Sequence, residues 1–374
     1  MTSFRVVALL PLLVGALAGC STLRHGAGPL PEGFAVRELA KADADAPFAV
    51  SRSGEVAAVR KGAVQVIDAA GIGREIAPAA ATALCFSPDG KMLAAALPTE
   101  KGSVLRLFDR QGKVTADTTV PGRITSIVWR SKSQLLATSL AVANPAAHAG
   151  LSSRLYSWDG SAPPVAVLLG NVPVLPAAGK TTEEMLLKTL SLAVSPYGDE
   201  VAYSYLQAPP FTTPYQKIAV RHLESGTERE VAKTSLGSGG PIFTPDGESL
   251  LVGDSHALTR RLSIPDGREM DAWPSPGSYP AVSTSGAYTF LDGRLYQNGR
   301  TVLSFPSEAR GAFLPDGSGL AISYDGKIYL VSGLKDLAAP ALPVDMERLL
   351  KLRRLRSLGV ISEKEYRKQK GRIR

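Results

Sequence analysis

The sequence predicts an all-β chain: a seven-bladed β-propeller of four-stranded antiparallel blades, followed by a small C-terminal α-helical hairpin. Three observations predict it. One turn is written four times, as Ser87-Pro88-Asp89-Gly90, Ser195-Pro196-Tyr197-Gly198, Thr244-Pro245-Asp246-Gly247 and Leu314-Pro315-Asp316-Gly317. Each copy lies between short runs in which apolar and small residues roughly alternate, as half-buried antiparallel strands require. The pattern also recurs at blade spacing. Residues 34–332 span 299 positions, about 43 for each of seven units, against the ~40–45 of a propeller blade.

The turn has a physical reason. Proline presets the first turn dihedral, Asp or Tyr takes the second position, and Gly takes the left-handed third. Weaker copies fill the gaps: Ser51-Arg52-Ser53-Gly54, Arg130-Ser131-Lys132-Ser133 and Ser283-Thr284-Ser285-Gly286, which brings the hairpins to seven. Most are followed by a third strand and a polar turn, as in Leu105–Gly112, Ile218–Gly226 and Leu262–Gly267, and then by a fourth strand such as Arg229–Ala232. A chain of 374 residues could hold two domains by length, but the repeat argues for one closed ring. The 36 Gly and 27 Pro are spread along the chain rather than pooled in a linker.

The apolar-Ser-Pro-Asp-Gly repeat, followed each time by an apolar strand, resembles the TolB-type propeller repeat of bacterial envelope proteins, a relative of WD-repeat blades. The resemblance covers most of residues 48–332. The Trp-Asp dipeptide of WD repeats occurs only at Trp158-Asp159. What the resemblance implies is a fold; propellers host binding and catalysis alike.

A ring must join its ends. The seventh blade has strands at 311–314, 319–323 and 327–331, but Leu337–Pro343 is too proline-broken to supply a fourth. Phe34-Ala35-Val36-Arg37-Glu38-Leu39 alternates well and precedes the first hairpin. It is expected to pair as the outer strand of blade seven, which removes an exposed edge.

The first nineteen residues read as an export signal: Arg5, then an apolar core from Val6 to Leu17, too short for a membrane span. The segment ends Leu17-Ala18-Gly19-Cys20, which resembles the lipobox of bacterial lipoproteins. The resemblance implies cleavage between Gly19 and Cys20, a lipid on Cys20, and, with Ser21 next, the outer membrane. Residues 20–33 form a Gly/Pro-rich tether. Cys85 is then the one remaining cysteine, so no disulfide can form within a mature chain, and a small core residue is the expected role.

Net charge is +8, but residues 345–374 carry eleven Lys/Arg against four Asp/Glu. The ring is therefore close to neutral, which does not point to a broad anionic partner; no nucleic acid is expected. Beyond a linker at 333–344, the tail reads as two helices. The first, Met346–Leu358, steps Leu349, Leu352 and Leu355 along one stripe and stops at Gly359. The second opens on a Ser362-Glu363-Lys364-Glu365 capping box. The segment closely resembles the SHOCT module, a short helical hairpin of bacterial proteins, through Leu355, Leu358, Gly359, Ile361, Ser362, Glu365, Tyr366 and Lys370. That resemblance implies oligomerisation or partner contact, with Leu349, Leu352, Leu355, Leu358, Ile361 and Tyr366 as contact residues. A stripe of this kind cannot be buried within thirty residues, so it must dock on the propeller, self-associate or bind a partner.

Departures from the repeat mark a site. Long segments fall at 141–152 and 206–215, between second and third strands, and at 171–188, between blades three and four. Strand direction puts all three on one rim, opposite the Pro-Asp-Gly turns, which are expected to carry little function. Long loops on a rigid scaffold favour binding, with His148, Phe211 and Tyr215 as candidate contacts for an unidentified envelope protein. No metal spacing links His25, His148, His222 or His256 to another ligand. Gly253-Asp254-Ser255-His256 falls at the end of a strand rather than in an α/β hydrolase setting, and no Gly-x-Ser-x-Gly elbow follows. No cofactor is implied. The expectation is a non-enzymatic, lipid-anchored binding scaffold; the alternative is a propeller enzyme acting on an envelope glycan or peptide, for which carboxylates or histidines clustered at the channel mouth would speak.

Overall fold

The computed structural model of the protein describes residues 30–144, 149–172, 190–207, 209, 215–235, 239–254, 258–274, 280–334 and 346–373. The first strand among the described residues is β1 (Ala35–Lys41). Blade one is β2 (Phe48–Val50), β3 (Val56–Arg60), β4 (Ala63–Ile67) and β5 (Gly73–Ala77), and blade two is β6 (Ala83–Phe86), β7 (Met92–Thr99), β8 (Gly102–Asp109) and β9 (Val114–Pro121). Blade three is β10 (Arg123–Trp129), β11 (Leu135–Asn144), β12 (Ala149–Trp158) and β13 (Val165–Val172). Blade four is β14 (Leu192–Val194), β15 (Glu200–Gln207), β16 (Tyr215–His222) and β17 (Glu228–Thr234). Blade five is β18 (Ile242–Phe243), β19 (Ser249–Asp254), β20 (Leu258–Ser263) and β21 (Glu269–Pro274). Blade six is β22 (Ala281–Val282), β23 (Tyr288–Leu291), β24 (Arg294–Gln297) and β25 (Arg300–Ser304). Blade seven holds β26 (Arg310–Phe313), β27 (Gly319–Tyr324) and β28 (Lys327–Ser332), and two helices follow, α1 (Met346–Ser357) and α2 (Glu363–Lys370).

Each blade is a four-stranded antiparallel meander, and the seventh is completed from the front of the chain in the order β1-β28-β27-β26. The expected closure is therefore present. Ala35 pairs with Ser332, Val36 with Val331 and Lys41 with Lys327, across a bulge between Glu38 and Ala40. The repeated turns close as expected. The amide of Gly90 donates to the Ser87 carbonyl at 2.8 Å and that of Gly247 to the Thr244 carbonyl at 2.8 Å. Gly90 and Gly247 sit at φ 67° and 65°, the left-handed region that glycine enters without a Cβ penalty.

The core lies between blades. Leu136, Leu155, Tyr203 and Tyr205 join blades three and four, and Ala57, Val64, Leu93 and Phe108 join blades one and two. The seam between blades seven and one is built around Leu39, with Val56, Ile67, Ala321 and Ile328. The bulge at this point lets Leu39 reach the seam between the exposed Glu38 and the half-buried Ala40, an added residue that bends and twists its strand.

Truncating the seam residue should be felt by the whole ring. Leu39→Ala is expected to lower unfolding free energy by about 2–5 kcal/mol, the range for a buried leucine, in denaturant titration followed by circular dichroism. A change under about 0.5 kcal/mol, the ordinary effect of a surface substitution, would contradict this packing.

Candidate functional site

Strand registers define two faces. The turns joining first to second and third to fourth strands emerge on one, the turn face. The connections joining second to third strands, and one blade to the next, emerge on the other, the loop face. On the loop face a cavity of about 610 Å³ opens at the ring centre, between the segment 43–48, Ala81–Leu84, Arg123–Ile127 and Ser191. Its polar groups largely serve the scaffold. Asp43 accepts the amides of Lys61 and Gly62 at 2.7 and 2.8 Å, and Asp45 pairs with Arg310 at 2.7 Å. The Thr82 hydroxyl donates to the Ile124 carbonyl at 2.7 Å. Among the described residues, no three His, Cys, Asp or Glu side chains gather as a metal-binding group.

Beside this mouth stands the longest hairpin among the described residues. β11 and β12 are each ten residues long. Ala141 pairs with Ser152, Val142 with Leu151 and Asn144 with Ala149, so much of the expected 141–152 loop continues the two strands. His148 and Phe211 lie outside the described residues, as do Gly19 and Cys20. Tyr215 opens β16, half-buried, with the Lys233 ammonium 5.2 Å from its ring centre. Cys85 is half-buried on β6, its thiol pushed up to about 11 by burial and so protonated at neutral pH. His222 is buried at the end of β16, where Nδ1 accepts the Ser225 amide at 3.2 Å. Burial depresses its pKa and keeps it neutral, a turn-capping role.

The turn face carries more than its short turns foretell, because the helical hairpin docks there on blades four and five. Gly359, at φ 71°, ends α1, and the Val360 amide reaches back to the Leu355 carbonyl at 2.9 Å. Ser362 caps α2 reciprocally with Glu365, as the sequence pattern requires. Leu349, Leu352, Tyr366 and Ile373 are buried together, with Tyr197 of the blade-four turn and Ile361 packed against them. Of the other residues expected to make contacts, Leu355 is half-buried and Leu358 is exposed.

At the centre lies Arg353, fully buried. Its Nε donates to the Asp199 carboxylate, its Nη2 donates to Glu200 Oε2 at 2.7 Å, and its guanidinium lies 4.6 Å from the Tyr197 ring centre. Glu248 collects the rest: Lys370 at 2.7 Å, the Tyr366 hydroxyl at 3.1 Å and Arg356 at 3.4 Å. Burial alone would raise the Asp199 carboxyl; the charge and hydrogen bond of Arg353 outweigh it and hold the group below its ordinary value. Glu248 is lowered in the same way, burial being outweighed by Lys370, Arg356 and Arg353. Sequence reasoning missed Asp199, Glu200 and Glu248. One signal was present: Tyr197 stands where the other three Pro-containing turns hold Asp, and Asp199-Glu200 follow directly.

The ring is similar in fold to several solved structures. A chain of the Kuenenia stuttgartiensis hydrazine synthase is similar at a TM-score of 0.54 and 12% identity, over 76% of this chain and 94% of that one. The β-propeller domain of Myceliophteria thermophila Cps50 (Swd1) is similar at 0.53 and 17%, over 77% and 95%. A chain of the mitotic checkpoint complex is similar at 0.56 and 15%, over 88% and 99%. At these identities the likeness is one of fold. No family model matches the chain, and no curated protein matches it.

Two outcomes follow for the docked hairpin. Arg353→Ala strands two buried carboxylates, a loss of about 3–5 kcal/mol for a broken buried pair. Hydrogen exchange should accelerate across residues 346–370 while the blade strands keep their protection; unchanged exchange would count against the docking. The pH effect has a definite sign. Asp199 and Glu248 bind protons less readily when docked. Docking is therefore full above the ordinary carboxyl range, about 4, and weakens as pH falls through the lowered values. A dye pair on Lys368→Cys and Ser318→Cys should separate on acidification and not between pH 6 and 8.

Proposed function

We propose that the protein is a lipid-anchored scaffold of the bacterial cell envelope whose loop face binds another protein. The reading rests most on one observation: the ten-residue strands of the blade-three hairpin rise beside an open cavity on a closed, rigid ring. A projecting element next to a concave mouth offers a partner both an edge and a pocket. The polar groups at that mouth are engaged in holding the scaffold, which favours recognition over chemistry. In this reading the insertion before blade four, 171–188, and the one within it, 206–215, join the same rim by strand direction, with Tyr215 at its border and His148 and Phe211 as further contacts. Solved propellers of similar fold include chains crystallised within multi-protein assemblies, the mitotic checkpoint complex among them.

The address comes from the Leu17-Ala18-Gly19-Cys20 segment. In this reading Cys20 carries the lipid, the outer membrane is the site, and the ring is a TolB-type propeller with a SHOCT-like tail.

Joining Ala141 to Ser152 by an Asn-Gly turn is feasible because those residues already pair. With residues 208–214 also replaced by a short turn, crosslinking in intact cells should lose the major partners recovered with the unaltered chain. An unchanged partner set would refute the loop-face reading. For the anchor, Cys20→Ser should abolish incorporation of labelled fatty acid, and incorporation that persists would refute it.

A further inference from the structure

We propose that the turn face is the membrane-facing side of the molecule, and that the hairpin tip Leu358-Gly359-Val360 rests on an anionic lipid surface. The inference deepens the anchor reading and rests on it for orientation, but its chemistry stands on the described residues.

The N-terminal segment leads into the ring from the turn face. β1 begins at Ala35, opposite Ser332, and Ser332 also pairs with Gly319, which closely follows the Leu314-Pro315-Asp316-Gly317 turn. Gly33 is pressed against Gly333: its carbonyl oxygen lies 1.8 Å from where a Cβ of residue 333 would stand. Leu30 and Phe34 pack onto the core shared by blades six and seven. Ten residue steps run from Cys20 to Leu30, a reach of at most about 35 Å even fully extended. A lipid on Cys20 therefore holds the turn face, and not the loop face, towards the bilayer.

The hairpin docks on that same face and leaves an unused surface. Leu349, Leu352 and Tyr366 are consumed in docking, whereas Leu358 is 48% and Val360 65% exposed. Arg353, Arg356 and Lys370 are matched by Asp199, Glu200 and Glu248. The exposed cations Lys351, Lys364, Lys368 and Arg372 lie on the same two helices and their C-terminal end. An exposed apolar pair on a helical hairpin whose outer surface carries these cations, with the exposed Glu365 next to Lys364, is the chemistry of an interfacial membrane contact. The ring adds an independent mark. Of the exposed large apolar residues on the described ring, Ile72, Val114, Val165 and Met270 stand at or beside the turn-face ends of outer strands, whereas Leu168 lies within β13 and Leu258 at the loop-face start of β20.

Anionic headgroups attract a nearby Lys or Arg by an amount equivalent to about fivefold in binding per charge. Added to acyl chains, such a contact supplies a second membrane signal and fixes which face looks outward.

The test removes the lipid so that the anchor cannot contribute. The mature chain carrying Cys20→Ser is sedimented with vesicles of phosphatidylethanolamine and phosphatidylglycerol, and with neutral phosphatidylcholine vesicles. Binding to the anionic vesicles alone is expected. Lys364→Gln and Lys368→Gln should each weaken it about fivefold, and Leu358→Ser with Val360→Ser should reduce it further. These side chains are exposed, so hydrogen exchange of α1 and α2 should be unchanged in every variant. No binding to anionic vesicles, as expected if the basic face serves an acidic protein instead, would overturn the proposal; so would binding indifferent to these substitutions. Loss of fatty-acid labelling in the unaltered chain would sink the anchor reading and leave this result standing.

Discussion

The pairing of β1 with β28 is the constraint on which the rest depends. Without it blade seven ends in an open edge and the ring has no covalent reason to close. With it, residues nearly three hundred positions apart share one sheet, and the seam between blades seven and one is sealed around Leu39. Closure removes the edge that would otherwise template aggregation. It also settles geometry that no single blade determines. The N-terminal segment is led in beside the Pro-Asp-Gly turns, the C-terminal strand leaves beside it, and the central cavity lies on the opposite side.

The second organising element is electrostatic. Burying Arg353 is costly, and its carboxylate partners offset that cost without making the arrangement strongly favourable in net terms. Its contribution is better described as registry. An apolar stripe of four residues could slide over a surface, but a guanidinium held between Asp199 and Glu200, above the Tyr197 ring, admits one placement. The same network explains why the basic tail has two characters: the cations aimed at blades four and five are neutralised, and those on the opposite surface stay in solvent.

Much of this was legible in the chain, because it is encoded locally. The Pro-Asp-Gly turn sets its own dihedrals, the alternation of apolar residues sets the strands, and the Ser362–Glu365 capping box marks the start of α2. Even the closing strand could be found, by noticing that blade seven lacked a partner and residues 34–39 were spare. The docking site was not legible. Asp199, Glu200 and Glu248 lie more than a hundred residues from Arg353, and nothing in the local pattern of either segment reports that they meet. The expectation of a plain turn face rested on loop length, which says nothing about what a distant helix brings to it. The 141–152 segment reads as a loop for a related reason: a hairpin that lengthens beyond its blade looks, in sequence, like an interruption.

In the proposed reading, closure, anchor and docked hairpin together hold one face to the bilayer and present the other outward. The most direct measurement places a fluorophore on each face of the lipidated protein in vesicles: at Lys132→Cys, in the blade-three turn beside the hairpin, and at Glu100→Cys, in the loop between β7 and β8. Both positions are exposed. Lipids carrying a quencher at the headgroup should quench the label at position 132 strongly and that at position 100 weakly. Equal quenching, or stronger quenching at position 100, would contradict the account.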